Sequence, residues 1–117
     1  DLSAITHRFI LAEIGRLSEA ARREGRPAVA IDAAALLESG AGERCDAVVG
    51  VLSPKELRIR RIMAREGISE DYARSRADAQ PPDAFYRARC SYILENGLED
   101  TPETFREKAR ALFAALL

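Results

Sequence analysis

Asp46-Ala47-Val48-Val49-Gly50-Val51-Leu52 runs directly into Ser53-Pro54-Lys55-Glu56, and that junction decides the fold class. The first stretch is apolar without alternation, which predicts a strand buried on both faces, the habit of a parallel sheet covered by helices. The second is a helix start. Ser53 stands where a side-chain cap is wanted, Pro54 fits the first helical position, and Glu56 can reach back to the cap nitrogen. A buried strand feeding a helix is the unit of an α/β fold.

Outward from this junction the alternation continues. Upstream, Ala28-Val29-Ala30-Ile31-Asp32 is a second short apolar run and predicts another buried strand, bounded by Pro27. Before it, residues 3–24 predict a long helix. Ile5, Phe9, Ile10, Ile14, Leu17 and Ala21 recur every three or four residues, Ser3 is the expected cap, and Gly25 and Pro27 stop the helix. Residues 33–38 predict a turn or a single helical turn, and Gly40 and Gly42 a loop. Downstream, the helix begun at Pro54 should end at Glu66 with Gly67 as its C-terminal cap. Ser69 opens another through about Ala79, stopped by Pro81-Pro82. A short helix near residues 83–89 leads into a third strand over residues 91–94. Asn96-Gly97 turns the chain, and Thr101-Pro102-Glu103 opens a last helix ending near Leu116.

At 117 residues, 47% hydrophobic and 32% charged, the chain fits a single globular domain and is too apolar to be disordered. Its apolar runs are a handful of residues long, against the ~20 of a spanning helix, so no membrane partner is expected. Cys45, Cys90 and the single histidine, His7, do not supply the four ligands of a structural zinc, so no metal site is expected. With no signal peptide, two reduced thiols in a cytoplasmic protein are expected. The chain opens on Asp1 without an initiator Met, which makes a fragment the expectation.

The net charge is −1, yet 16 of the 18 basic residues are Arg, and residues 55–89 carry a net +3. Arg58, Arg61 and Arg65 fall on one helix face, Arg74 and Arg76 on the next helix, and Arg87 and Arg89 beyond the proline pair. Guanidiniums so gathered can clamp a polyphosphate and stabilise charge during transfer. By composition alone a solvated basic face is the stronger reading, with pairs such as Arg61–Glu66 and Arg74–Asp78. A nucleic-acid partner is not expected: the charge is near zero, and Tyr72, Phe85 and Tyr86 lie on predicted helices instead of an exposed stacking platform. Asp32, at the expected carboxyl end of a strand, is placed where open α/β sheets bind ligands and can hold Mg²⁺ through water, although a solvated Asp capping the following turn is the commoner role for such a residue. The sequence contains no Gly-x-x-x-x-Gly-Lys-Ser/Thr, the loop whose backbone N–H groups cradle phosphates.

In their order these motifs resemble the dephospho-coenzyme A kinase family, over nearly all of this chain and the C-terminal part of the family's sequence. The family's His-Pro resembles His7-Arg8. Its Asp-x-Pro-Leu-Leu-x-Glu resembles residues 32–38, with Asp32, Leu36 and Glu38 in register. Its Cys-Asp matches Cys45-Asp46. Its Arg-rich stretch with Gly-Ile-Ser-Glu matches residues 58–65 and then 67–70. Its lid signature Arg-x-x-Ala-Gln matches Arg76-Ala77-Asp78-Ala79-Gln80, and its Ala-Asp-x-x-Ile-x-Asn resembles residues 90–96.

The resemblance implies a partial P-loop-kinase-like α/β fold, a parallel sheet with flanking helices and a helical lid over residues 54–90. It implies ATP-dependent phosphorylation of the ribose 3′-hydroxyl of dephospho-coenzyme A, with Mg²⁺ and ATP as cofactors of the intact enzyme and none expected bound by this chain alone. Residue by residue, it implies Arg61, Arg65 and Arg76 near the ATP phosphates, Asn96 by the adenine, and His7, Leu36 and Glu38 lining the acceptor cleft. Asp32 and Arg76 would be catalytic. The pattern departs at Arg8, at Ala34-Ala35, at Tyr86 where the family has a lysine, and at Cys90-Ser91. The family's phosphate loop and general-base Asp lie upstream of this chain, and the loop's strand falls between the strands expected at residues 28–32 and 46–52. The chain alone is therefore expected to be inactive and to pair with an N-terminal segment or self-associate. A non-catalytic remnant serving in binding or assembly is the alternative.

Overall fold

The structure is a computed structural model that describes residues 2–33 and 35–117, the side chains of Leu2 and Ser3 excepted. The expected Ser3 cap and the departure at Ala34 lie outside the described residues. By internal contacts the chain divides into two compact units, residues 1–46 with 117 and residues 47–116.

The first unit is built on helix α1, Leu2–Arg23, close to its expected span. Its apolar stripe forms but stays largely open: Phe9 is 73% exposed, with Ile5, Ile10 and Leu17 near half. Beyond Gly25 the chain runs without helix or strand through residues 28–32, then through turns into a short 3-10 helix at Ala41–Arg44. The strand expected at residues 28–32 does not form, and Val29 is 48% exposed. A strand exists only through hydrogen bonds to a neighbour, and no strand among the described residues pairs with this run. The Arg44 guanidinium donates to the Leu11 carbonyl at 3.4 Å, tying the 3-10 turn to α1.

The second unit carries the alternation predicted from the junction. Strand β1, Val49–Leu52, lies parallel to β2, Tyr92–Glu95, with Val49 opposite Tyr92 and Leu52 opposite Glu95. Between them come α2 (Lys55–Glu66), α3 (Glu70–Asp78) and α4 (Asp83–Arg89), and α5 (Pro102–Leu116) follows β2. Parallel neighbours need a crossover connection, and here three helices supply it. Helix α4 packs on β1 and α5 on β2. This is an α/β fold with a small parallel sheet and flanking helices.

The caps fell largely where the residues indicated. Ser69 accepts from the Tyr72 amide at 3.2 Å and opens α3. Gly67 ends α2 at φ 65°, a left-handed conformation that costs glycine little, with its N–H on the Met63 carbonyl at 2.8 Å. Ser53 does not cap α2; Pro54 holds that position, and the Ser53 hydroxyl donates instead to the Asn96 carbonyl at 2.7 Å. A longer-range partner across the parallel strands takes the hydroxyl that local patterning assigned to the helix.

Among the described residues Ile59 is the largest fully buried side chain, enclosed with Ala73 and Ala77 of α3 and flanked by Ile62, Met63 and Ile68. Alanines at successive turns let the two helices approach closely enough for Ile59 to fill the space. Gly50 meets a similar demand in the sheet. A Cβ there would lie 2.8 Å from Cys90 Sγ and 3.2 Å from Ile93 Cδ1, so only glycine lets the Cys90 side chain settle on β1. That burial pushes the Cys90 thiol pKa up.

The turn after β2 is fixed by one carboxylate. Asp100 accepts from Lys108 Nζ at 2.7 Å, the Gly97 amide at 2.8 Å and the Thr104 hydroxyl at 2.9 Å. Lys108 first, then the Gly97 N–H and Thr104, hold the Asp100 carboxyl down at about 2. A folded-state value below the unfolded value of about 3.9 makes the carboxylate stabilising above the latter. That contribution is lost as pH falls from about 4 through about 2. Asp100→Asn is therefore expected to lower the thermal midpoint at pH 7 and to leave a shallower acid limb than the parent, measured by circular dichroism from pH 2 to 7.

Candidate functional site

The residues singled out from sequence fall into both units. In the first, His7 is exposed on α1, and Asp32 is exposed in the irregular segment and not at a strand end. Leu36 is half-buried and Glu38 exposed in the turn over residues 35–40. Among the described residues the side chains of His7, Asp32 and Glu38 make no hydrogen bond or ion pair. What the sequence did not flag is a hollow of about 660 Å³ against α1, walled by Ile5, Phe9, Leu11 and Ala12 with Arg8 and Arg44 at its polar side.

In the second unit the structure gathers its candidates by hydrogen bonds. At the carboxyl end of β1 the Arg61 guanidinium donates to Ser53 Oγ at 3.3 Å, and Ser53 donates to the Asn96 carbonyl. Asn96 in turn donates its amide to the Leu52 carbonyl at 2.8 Å, continuing the ladder past β2. Arg61, Ser53 and Asn96 thus form one chain across the strand ends, where α/β folds place ligands. Arg61 does not pair with Glu66 as composition suggested.

Arg65 lies one helical turn beyond Arg61 on α2, exposed. Its Nη2 is 4.0 Å from Glu66 Oε2, the same oxygen that accepts from Arg76 Nη1 of α3. Two further ion pairs cross the hairpin. Arg74 binds Glu56 two-pronged, at 2.8 and 2.9 Å, in place of the expected Asp78. Asp78 pairs with Lys55. These cations hold the Glu56 and Asp78 carboxyls below the usual range. Glu56 was expected to reach back to the cap; a forked contact with a guanidinium is the stronger bond.

Arg58 turns elsewhere. Its Nε is buried without a partner among the described residues, beside a cavity of about 140 Å³ lined also by Ser53, Gln80, Asp83 and Tyr86. Near the end of α4, Arg89 stacks 4.0 Å from the Phe85 ring centre, and Arg87 bonds Glu95 at 2.6 Å. So the Arg-rich segment is neither one patch nor a merely solvated face. Arg74, Arg76 and Arg87 are each ion-paired within the unit and Arg89 lies over Phe85, while Arg61 sits at the strand ends and Arg65 is exposed on the hairpin.

A sequence profile of the dephospho-CoA kinase family matches residues 1–100. The chain belongs to the dephospho-CoA kinase family. Among its relatives, the dephospho-CoA kinase of Syntrophotalea carbinolica is 39% identical over 120 residues, spanning 100% of this chain and 54% of the relative. That of Corynebacterium diphtheriae is 38% identical, spanning 97% and 57%, and that of Geobacter sulfurreducens 40%, spanning 97% and 56%. The chain spans a little over half the length of the dephospho-CoA kinases it matches. Its fold is similar to the crystal structure of TT1252 from Thermus thermophilus, with a TM-score of 0.67 and 31% identity, over 94% of this chain and 53% of that one. This likeness agrees with the partial kinase-like α/β fold expected of a dephospho-CoA kinase. No helix among the described residues is long and apolar enough to cross a membrane.

Proposed function

We propose that this chain is the nucleotide-clamping portion of a dephospho-CoA kinase, a single partial kinase-like domain of a cytoplasmic enzyme. The whole enzyme joins the γ-phosphorus of ATP to the ribose 3′-oxygen of dephospho-CoA, releasing ADP and a proton. In this reading residues 54–90 are a lid. Arg65 and Arg76 bind the triphosphate with Arg61, and Asn96 lies by the adenine. Asp32, His7, Leu36 and Glu38 line the acceptor side, with Asp32 and Arg76 closest to the chemistry.

The reading is carried by the meeting of Arg65 of α2 and Arg76 of α3 at one oxygen, in a chain of this family. Transfer of a phosphoryl group is mostly positioning and charge neutralisation, and converging guanidiniums from separate helices supply both. Among the described residues no three His, Cys, Asp or Glu side chains converge as a metal site, and Mg²⁺ enters as part of the MgATP substrate. Each outer edge of the β1–β2 pair lacks a strand neighbour among the described residues, which supports pairing with an N-terminal segment or with a second copy.

Titration calorimetry of the 117-residue chain with ATP tests the clamp. The resemblance by itself implies no nucleotide bound by this chain alone; on the clamp reading heat of binding is expected instead, reduced about tenfold in affinity by Arg76→Ala, as befits loss of a charge-assisted bond. Absence of heat with both ATP and dephospho-CoA would favour a non-catalytic remnant and end the proposal.

A further inference from the structure

We propose that Glu66 is a built-in competitor for the anion that Arg65 and Arg76 receive, its carboxylate standing where a phosphate oxygen would bind. The inference rests on the nucleotide-clamp reading above and adds to it a selectivity device.

The three acids that join α2 to α3 are not equivalent. Glu56 engages one guanidinium with both oxygens, and Asp78 is paired with the Lys55 ammonium. Glu66 alone offers a single oxygen to guanidiniums of both helices, accepting from Arg76 and lying 4.0 Å from Arg65. One guanidinium bonded to the oxygen and a second 4.0 Å away gather two positive charges about a single anionic oxygen, as a bound phosphate would. The site is also open to exchange. The Arg65 side chain is 71% exposed, Arg76 44% and Glu66 34%, so an incoming anion can reach the arginines without unpacking the Ile59 core.

Competition sets what can enter. A singly charged anion offers the arginines no more than the carboxylate already gives, and it lacks the advantage of being covalently tethered. A triphosphate brings several charges and several oxygens, and displaces Glu66 at a net gain. The chain's own acid thus filters against small anions and makes hairpin arginines answer to polyphosphates.

The test is calorimetry of the full 117-residue chain with inorganic tripolyphosphate at low salt. Glu66→Gln keeps the size and an acceptor oxygen but removes the charge, and is expected to bind about threefold tighter, the scale of an exposed ion pair. Glu99→Gln removes the same charge from an exposed loop position with no side-chain partner among the described residues, and is expected to match the parent. In an Arg76→Ala background the gain from Glu66→Gln should vanish, because the acid acts through that guanidinium. Equal gains in Glu66→Gln and Glu99→Gln, or a gain that survives loss of Arg76, would overturn the inference and leave the clamp standing. No binding by either parent or Glu66→Gln would overturn both.

Discussion

Given ATP, Mg²⁺ and dephospho-CoA, the purified 117-residue chain is expected to yield no coenzyme A above background. The reason is chemical. No Gly-x-x-x-x-Gly-Lys-Ser/Thr occurs in it, so no ring of backbone N–H groups can hold the β- and γ-phosphates in line with an acceptor. Arginines on a hairpin can neutralise charge, but without that cradle they leave the γ-phosphorus free to sample unproductive positions, and positioning is worth about 7–11 kcal/mol of barrier in favourable cases. Fusing ahead of Asp1 the part of a relative that this chain does not span, such as that of the Geobacter sulfurreducens dephospho-CoA kinase, of which it covers 56%, is expected to restore product. In that fusion Arg76→Ala should lower kcat about 10²-fold, in line with loss of one charge-stabilising donor. Coenzyme A formed by the unfused chain, measured by a coupled ADP assay, would contradict the reading.

The second large effect concerns stability. Ile59 is 1% exposed and packs against Ala73 and Ala77, which are 0% and 5% exposed. Ile59→Ala removes the side chain that fills the seam between α2 and α3, and the two facing alanines are too short to close the gap. The expected cost is about 2–5 kcal/mol, the range for deleting a large buried aliphatic group. Ile59→Val, which deletes one methylene, should cost about 0.5–1.5 kcal/mol. Urea denaturation of the three proteins decides it. A loss under about 1 kcal/mol for the alanine variant would mean that the exposed ion pairs, worth little singly, hold the hairpin without Ile59.

Much of the second unit was legible because its signals are local. Strand, capping residue and terminating glycine sit within a few positions of one another, and α2, α3 and α4 lie within a residue or two of where Pro54, Gly67, Ser69 and Pro82 put them. The run at residues 28–32 misled because an apolar, β-branched sequence reports a tendency to be buried in a sheet; whether a sheet is there depends on a neighbour. Side-chain partners were the least legible. Glu56, Arg74 and Ser53 each had a plausible partner within a few residues, and each chose one further away, at 18 residues for the Arg74–Glu56 pair and 43 for Ser53–Asn96. Likewise, spacing put Arg58, Arg61 and Arg65 on one face, but could not show that Arg58 turns inward or that Glu66 would join Arg65 to Arg76.

The pairing of β1 with β2 also sets an order of events. Val48 and Ser91, joined where the strands begin, are 43 residues apart, whereas the α2–α3 hairpin closes through partners 10 to 23 residues apart. Bringing distant segments together costs more chain entropy than closing a short hairpin. The helices should therefore dock on one another early, shortening the effective loop, and the strands should zip last. Protection of the Asn96 and Tyr92 amides against exchange would then appear only after the hairpin has formed.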